Sequence, residues 1–222
     1  LSLGSYNGPH DGSDLFCQYL DRIGEEAIIC VSAGNEGTKQ NSLSKTFAAN
    51  DVNLNTFICN RSWDLIHIDG MSDFWSADSS AFSAKMCVYD CLEKKIVYES
   101  PSVGGKTGVD ELGVASADVA EKDDICVEVF DSCFVGYMRL YAQLDSENNR
   151  YNMVFDYDVK NFKFNQQWGR YCPGIMIEAS AGMRIDGYAD GSRSCFRAMG
   201  MANFVNGNSD TSISNMACGH NV

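Results

Sequence analysis

The sequence of 222 residues has few prolines, few basic residues and no long apolar run. With 3 prolines and 45% hydrophobic residues, its composition is far from that of disordered or collagen-like chains, so we expect a globular protein. No apolar stretch approaches the roughly 18 residues of a transmembrane helix, so we expect no membrane span. The 17 basic residues are outnumbered by 30 acidic ones and form no cluster. Because phosphate backbones bind clustered Lys and Arg, nucleic acid is not an expected partner.

The ten cysteines are many for this length, but no two of them form a CxxC pair, which argues against a zinc knuckle. Cys30 lies in an apolar run and Cys17 lies in a predicted helix. These positions favour thiols kept in a reducing setting. Disulfides within the middle of the chain remain an alternative.

Residues 1–40 predict a strand, a helix and a second strand. Leu1-Ser2-Leu3-Gly4 is typical of the end of a buried strand, and apolar residues recur at helical spacing from Leu15 to Ile23. Ser13 is the predicted helix cap, and Gly24 is the predicted helix end. Residues 27–33 form a continuous apolar run, as in a parallel strand covered on both faces. This order predicts an α/β crossover unit.

The middle of the chain changes to an alternating pattern. Met138, Leu140 and Ala142 alternate with Arg139 and Tyr141, which is typical of a half-buried strand. The same reasoning predicts further strands at 62–69, 82–89, 94–99, 125–129, 152–157, 174–179 and 182–188. Eight or more short strands indicate an antiparallel β-sandwich or jelly roll.

The strongest motif is Ser32-Ala33-Gly34-Asn35-Glu36-Gly37, which directly follows the second predicted strand. With Ser2-Leu3-Gly4 one crossover earlier, it resembles the subtilisin-like serine peptidases, in which one strand ends in Ser-Leu-Gly and the next in Ala-Gly-Asn. The resemblance implies that the Asn35 side chain donates a hydrogen bond to the oxyanion. An amide held at the end of a strand can direct its N–H at developing negative charge.

The end of the chain supports the same resemblance. Gly207-Asn208-Ser209-Asp210-Thr211-Ser212-Ile213 is similar to the segment that precedes the next core strand of these peptidases. The resemblance places Ser214 near the floor of the primary specificity pocket. It places Glu36 at the rim, where a carboxylate favours a basic P1 side chain. The pocket walls would come from Ser2, Leu3, Gly4, Ser32, Ala33 and Gly34.

About 160 residues of β-type sequence separate Asn35 from this segment. Gly8-Pro9-His10-Asp11-Gly12-Ser13 is also similar to a loop of bacterial subtilisin-like peptidases that carry a β-sandwich insertion, including the clostridial Csp germination proteases. The expected fold is therefore an α/β subtilisin-like core fragment with an inserted, jelly-roll-like antiparallel β-sandwich. The expected domains are a core fragment at 1–44, the insertion at 45–198 and a return to the core at 199–222.

The catalytic triad of the family is missing from this sequence. Neither its Asp-Ser/Thr-Gly motif nor its His-Gly-Thr-His motif occurs, and Asp210-Thr211-Ser212-Ile213 departs from the nucleophile motif because Asp replaces Gly. We therefore expect a fragment, inert by itself, whose catalytic Asp and His precede Leu1 and whose catalytic Ser follows Val222. The missing remainder of the peptidase core is its expected partner.

The resemblance implies a parent serine endopeptidase that acts on protein or peptide substrates. The expected location is extracellular, or in the cell envelope or spore, with the cytoplasm as an alternative. Two other functions remain open: a pseudoprotease of the same fold that acts as a scaffold or sensor, and a β-sandwich binding module.

No cofactor is expected, and calcium is the one metal considered. Oxygen ligands could come from Asp186, Asp190, Asn206, Asn208 and Asp210. Because their spacing is not that of a 12-residue calcium loop, turn formation is the preferred explanation for them. His10-Asp11 is interpreted as part of a structured loop rather than as a catalytic pair.

Overall fold

A computed structural model describes residues 8–34, 37–60, 67–105, 114–118, 134–145, 149–161, 170–190, 194–210 and 215–219. Within these residues, one α-helix, α1 (Leu15–Gly24), comes first, and a short 3-10 helix (Asn215–Cys218) comes last. Between them lie twelve strands: β1 (Ser42–Thr46), β2 (Asn53–Asn60), β3 (His67–Ser76), β4 (Ser83–Asp90), β5 (Lys95–Glu99), β6 (Val103–Gly104), β7 (Val114–Asp118), β8 (Phe134–Asp145), β9 (Arg150–Asn161), β10 (Tyr171–Glu178), β11 (Arg184–Asp190) and β12 (Ser194–Arg197).

The strands form two sheets, and every pairing between these strands is antiparallel. Sheet A has the strand order β1-β11-β3-β9-β8-β7. Sheet B has the order β12-β2-β10-β4-β5, with β6 paired to β4. Strands that follow each other in the sequence often lie in different sheets or are separated by other strands. Most of the fold therefore depends on contacts between residues distant in sequence.

The two sheets pack face to face through aromatic side chains. The ring centroids of Phe74 on β3 and Phe196 on β12 lie 5.7 Å apart, and those of Phe134 on β8 and Tyr171 on β10 lie 5.5 Å apart. Buried residues of both sheets belong to one hydrophobic cluster. Antiparallel strands are therefore present in the middle of the chain, as predicted. The predicted strand at 125–129 lies outside the described residues, as do residues 62–66 of the strand predicted at 62–69, where β3 is described from His67 to Ser76.

The outer faces of the two sheets differ. In β8, Met138 and Leu140 are buried while Tyr137 and Arg139 are exposed, so one face of that strand is solvated. In β2, by contrast, residues 54–59 are all buried. Because successive side chains point to opposite faces, sheet B is covered on both sides at β2.

Helix α1 begins at Leu15, one residue later than the predicted cap at Ser13 implies. The carboxylate of Asp14, rather than Ser13, caps the helix by accepting hydrogen bonds from the backbone N–H groups of Phe16 and Cys17. The predicted end at Gly24 is confirmed.

The predicted α/β core is wrong, because the described residues form an antiparallel β-rich fold with one α-helix. Residues 27–33 are not a strand, and Ile28 is 96% exposed. A strand exists only where a neighbour pairs with its backbone, and no described strand lies parallel to this segment to do so. Its other predicted neighbour, residues 1–4, lies outside the described residues.

Candidate functional site

The predicted oxyanion and pocket residues are described only in part. Ser32, Ala33 and Gly34 lie in irregular backbone, with Ser32 half-buried and the other two exposed. Outside the described residues lie Ser2, Leu3, Gly4, Asn35, Glu36 and Ser214. The structure therefore shows no assembled pocket, and the roles of these residues remain a proposal.

The helix just ahead of this motif carries an uncovered apolar face. Leu15, Phe16, Tyr19 and Ile23 are between 37% and 60% exposed, and they span about 100° of the helix circumference. Cys17 and Leu20, on the adjoining side, are buried. The apolar side chains of α1 thus extend around the helix beyond the side that is buried against other described residues. Amphipathic surface helices ordinarily direct such an arc at a core.

A groove of about 620 Å³ lies along this helix. It is lined by Asp14, Leu15, Phe16, Gln18, Tyr19 and Arg22. Ile28, four residues after the helix, is also nearly fully exposed. Contiguous exposed apolar patches often mark sites where proteins bind one another. We refer to Leu15, Phe16, Tyr19 and Ile23 as the apolar face of α1.

The loop before α1 is anchored to the β-sandwich by two adjacent side chains with different partners. The His10 ring is buried and stacks on Tyr188 of β11, with 4.0 Å between ring centroids. The Asp11 carboxylate accepts a hydrogen bond from the Arg150 guanidinium at the start of β9. This arrangement fits the interpretation of His10-Asp11 as a structured loop, because the His10 ring stacks on Tyr188 while the Asp11 carboxylate binds Arg150.

Gly12 allows the loop to approach the 3-10 helix. Its φ of +80° lies in the left-handed region, and a Cβ on it would lie 2.6 Å from the backbone oxygen of Cys218. Any larger residue here would meet both strain and a clash. Within the Gly8-Pro9-His10-Asp11-Gly12-Ser13 motif, His10 and Asp11 therefore contact the sandwich, and Gly12 packs against the 3-10 helix.

Arg150 is the centre of this anchor, and no sequence motif pointed to it. Arg150 is 6% exposed, and its Nε–H donates a hydrogen bond to the Ser76 carbonyl oxygen at 2.8 Å. The guanidinium also lies 5.7 Å from the centre of the Trp75 ring. Burial opposes ionisation of Asp11, but hydrogen bonds from Ser13 and the charge of Arg150 outweigh it and lower the pKa of this carboxyl.

Three of the five residues predicted as possible calcium ligands use their side-chain oxygens in other contacts. The Asn208 side-chain oxygen accepts hydrogen bonds from Ser42 and from the Asp210 backbone, and the Asn206 oxygen accepts one from the Ala198 backbone. Asp186 pairs with Arg184. Within the described ranges, no group of three or more His, Cys, Asp or Glu side chains is arranged to hold a metal ion.

In the part of the chain that the structure describes, no helix has both the length and the apolar character needed to span a bilayer. No protein-family profile matches the sequence, and no curated protein matches it significantly. The resemblance to subtilisin-like peptidases therefore depends on the sequence motifs.

Proposed function

We propose that this chain contributes to a subtilisin-like serine endopeptidase and supplies Asn35 as its oxyanion amide. The observation that supports the proposal is the uncovered apolar face of α1, which lies just ahead of the motif at 32–37. An apolar face of this size is unfavourable in water and favours contact with another protein surface. The proposal assigns that surface to the part of the peptidase that carries the catalytic triad.

The proposed reaction is acyl transfer from a protein or peptide substrate. The catalytic serine attacks the peptide carbonyl, the histidine takes the proton and later donates it to the leaving amine, and the aspartate orients the histidine. The Asn35 amide, together with a backbone N–H, donates hydrogen bonds to the tetrahedral oxyanion. Glu36 lies at the pocket rim in this proposal, so its carboxylate favours substrates with Lys or Arg at P1.

The test compares Asn35→Ala with Asn50→Ala in the full-length protein that contains this chain. Loss of an oxyanion amide costs roughly 100- to 1000-fold in kcat, as measured for subtilisin. We expect this loss for Asn35→Ala, with KM nearly unchanged, because the hydrogen bond forms in the transition state. Asn50 is exposed in the turn before Asp51, so its replacement should leave kcat unchanged. Equal kcat values for the two variants would refute the assignment of Asn35.

Labelling of the full-length protein with a fluorophosphonate separates a peptidase from a pseudoprotease. An activated serine forms a stable adduct with this reagent, whereas a substituted triad does not. Absence of labelling in folded protein would favour the alternative function, a scaffold or sensor of the same fold.

A second candidate function is a β-sandwich that binds a ligand. It is favoured by the single hydrophobic cluster that joins both sheets, because such a core can fold without a catalytic partner. A binding screen of the chain against glycans and peptides tests it. Saturable binding that survives substitution of Asn35 would support this function over the peptidase.

A further inference from the structure

Two thiols of sheet B face each other across the pair β2 and β12. Cys59 and Cys195 are register partners, and their Sγ atoms lie 3.8 Å apart. The Cys195 thiol also donates a hydrogen bond to the Cys59 carbonyl oxygen at 3.2 Å. Both residues are 0% exposed. The proximity of these sulfurs follows from the strand register rather than from a chance contact of flexible side chains.

The backbone geometry at this pair suits a disulfide. Directly opposed residues of antiparallel strands have Cα atoms about 4.5–5.5 Å apart, and disulfides span about 4.4–6.8 Å between Cα atoms. Formation of a bond of about 2.05 Å therefore requires the sulfurs to approach by side-chain rotation, with little movement of the strands.

The pair lies on the outer face of sheet B. The neighbouring Phe196 packs on Phe74 of sheet A, so it points into the sandwich, and Cys195 points the opposite way. Phe57, which shares the outer face with Cys59, stacks on Phe204 with 4.2 Å between ring centroids. Part of the chain after β12 therefore covers this face.

Reagents reach the pair only when β12 opens, because the outer edge of this strand is itself hydrogen-bonded. The Phe196 N–H donates to the Gln40 carbonyl oxygen at 3.0 Å, and the Gly207 N–H donates to the Phe196 carbonyl oxygen at 3.0 Å. β12 has four residues and is the edge strand of sheet B. Short edge strands open at lower free energy than central ones. Opening of β12 would break its two outer hydrogen bonds, withdraw Phe196 from Phe74 and expose the thiols.

We propose that Cys59 and Cys195 form a redox-sensitive pair that closes to a disulfide and fastens the edge strand β12 to β2. This inference does not depend on the proposed peptidase function. The disulfide would close a covalent loop through most of the β-sandwich, and a cross-link over so long a loop restricts the unfolded chain strongly.

The oxidant in this reaction is a small-molecule disulfide such as oxidised glutathione. The thiolate of one cysteine attacks it, forming a mixed disulfide and releasing one glutathione thiolate. The second cysteine, as its thiolate, then attacks the protein sulfur and releases the second glutathione thiolate. The two protons lost by the cysteines appear on the two glutathione thiols, so two cysteine thiols are oxidised and one disulfide is reduced.

The folded state slows this exchange. The hydrogen bond with the Cys195 thiol, together with burial, raises the pKa of Cys59, and the charge of Arg197 opposes this shift without cancelling it. Because the thiolate is the reactive form, closure is faster during folding or after β12 opens than in the closed native state.

Cys172 on β10 is a competing partner and also a matched control. β10 lies on the other side of β2, and Cys172 is 0% exposed like the proposed pair. Its thiol donates a hydrogen bond to the Ile58 carbonyl oxygen at 3.0 Å, whereas the Cys195 sulfur lies 3.8 Å from the Cys59 sulfur. The proposal therefore expects pairing of Cys59 with Cys195 and not with Cys172.

The test is refolding of the full chain from urea in a buffer of oxidised and reduced glutathione. Remaining thiols are capped with N-ethylmaleimide, and the protein is digested with trypsin without reduction. The fragments 46–61, 194–197 and 171–184 carry Cys59, Cys195 and Cys172 as their sole cysteines. We expect fragments 46–61 and 194–197 to be joined, with a mass two hydrogens below their sum.

Refolding gives the oxidant access to thiols that are buried in the native state, so burial does not prevent cross-linking in this test. The variants then show which cysteines pair. Cys195→Ser should abolish the joined product, whereas Cys172→Ser should retain it. The oxidised chain should also unfold at a higher urea concentration than the reduced chain, and Cys195→Ser should lose this difference. Recovery of fragments 46–61 and 194–197 as maleimide adducts, or joining of 46–61 to 171–184, would overturn the proposal.

Discussion

Replacement of Arg150 by Met is expected to destabilise the chain far more than loss of an ordinary surface charge. Arg150 connects the loop before α1 to sheet A, since its guanidinium contacts Asp11, Ser13, the Ser76 carbonyl and the Trp75 ring. Met keeps an unbranched apolar stem in the same space and removes the charge and the donors.

The magnitude follows from the exposure of each partner. Ser76 is 1% exposed, and a buried carbonyl that loses its donor costs about 1–3 kcal/mol. The cation–π contact with Trp75 contributes about 0.5–2 kcal/mol. The Asp11 side chain is 49% exposed, so solvent screens its ion pair to about 0–1 kcal/mol. The free energy of unfolding should therefore fall by about 1.5–6 kcal/mol in Arg150→Met.

Urea unfolding followed by circular dichroism measures this difference, with Arg184→Met as the matched control. Arg184 also pairs with an aspartate, but its side chain is 55% exposed, so the control should lose less than about 1 kcal/mol. The pKa of Asp11 should rise in Arg150→Met, because the opposite charge is removed. Equal free energies of unfolding for the two Arg variants would refute the anchoring role of Arg150.

Two further predictions concern titration and thiol reactivity. Burial opposes ionisation of Asp90, but hydrogen bonds from Arg170 and from backbone N–H groups lower its pKa, so its contribution to stability is present above about pH 4 and is lost as pH falls further. Asp90→Asn should therefore lose less stability than the wild type between neutral pH and about pH 2, which acid titrations of the urea midpoint measure. In native protein, iodoacetamide should modify the exposed Cys30 well before Cys17, since burial raises the pKa of Cys17 to about 12. Equal labelling of the two cysteines, read by peptide mass spectrometry, would contradict the packing of α1.

The strands that could be predicted are those with one solvated face. β8 alternates buried Met138 and Leu140 with exposed Arg139, so its periodicity is visible in the sequence. β2 was not predicted, because residues 54–59 are buried on both faces and the run Asn-Leu-Asn-Thr-Phe-Ile-Cys does not alternate. Burial on both sides removes the pattern that a strand prediction depends on.

The anchor around Arg150 could not be predicted for a different reason. Arg150 and Asp11 are separated by 139 positions, and their contact exists because β9 begins where the loop before α1 crosses sheet A. The same holds for Cys59 and Cys195, which are separated by 136 positions and brought together by the pairing of β2 with β12. Local residue patterns identify neither contact, since both follow from the order of strands in the sheets.

The error over residues 27–33 shows what an apolar run does and does not specify. Ile28, Ile29 and Val31 predict that the segment is buried somewhere, but a strand also needs a neighbour that pairs with its backbone. The antiparallel sandwich completes its own core without this segment, and Ile28 and the apolar face of α1 are left exposed together. The two exposed apolar segments follow each other in the chain, and the peptidase proposal assigns both to one partner surface. A peptidase core would provide one surface for both segments, whereas a sandwich acting alone would leave both exposed.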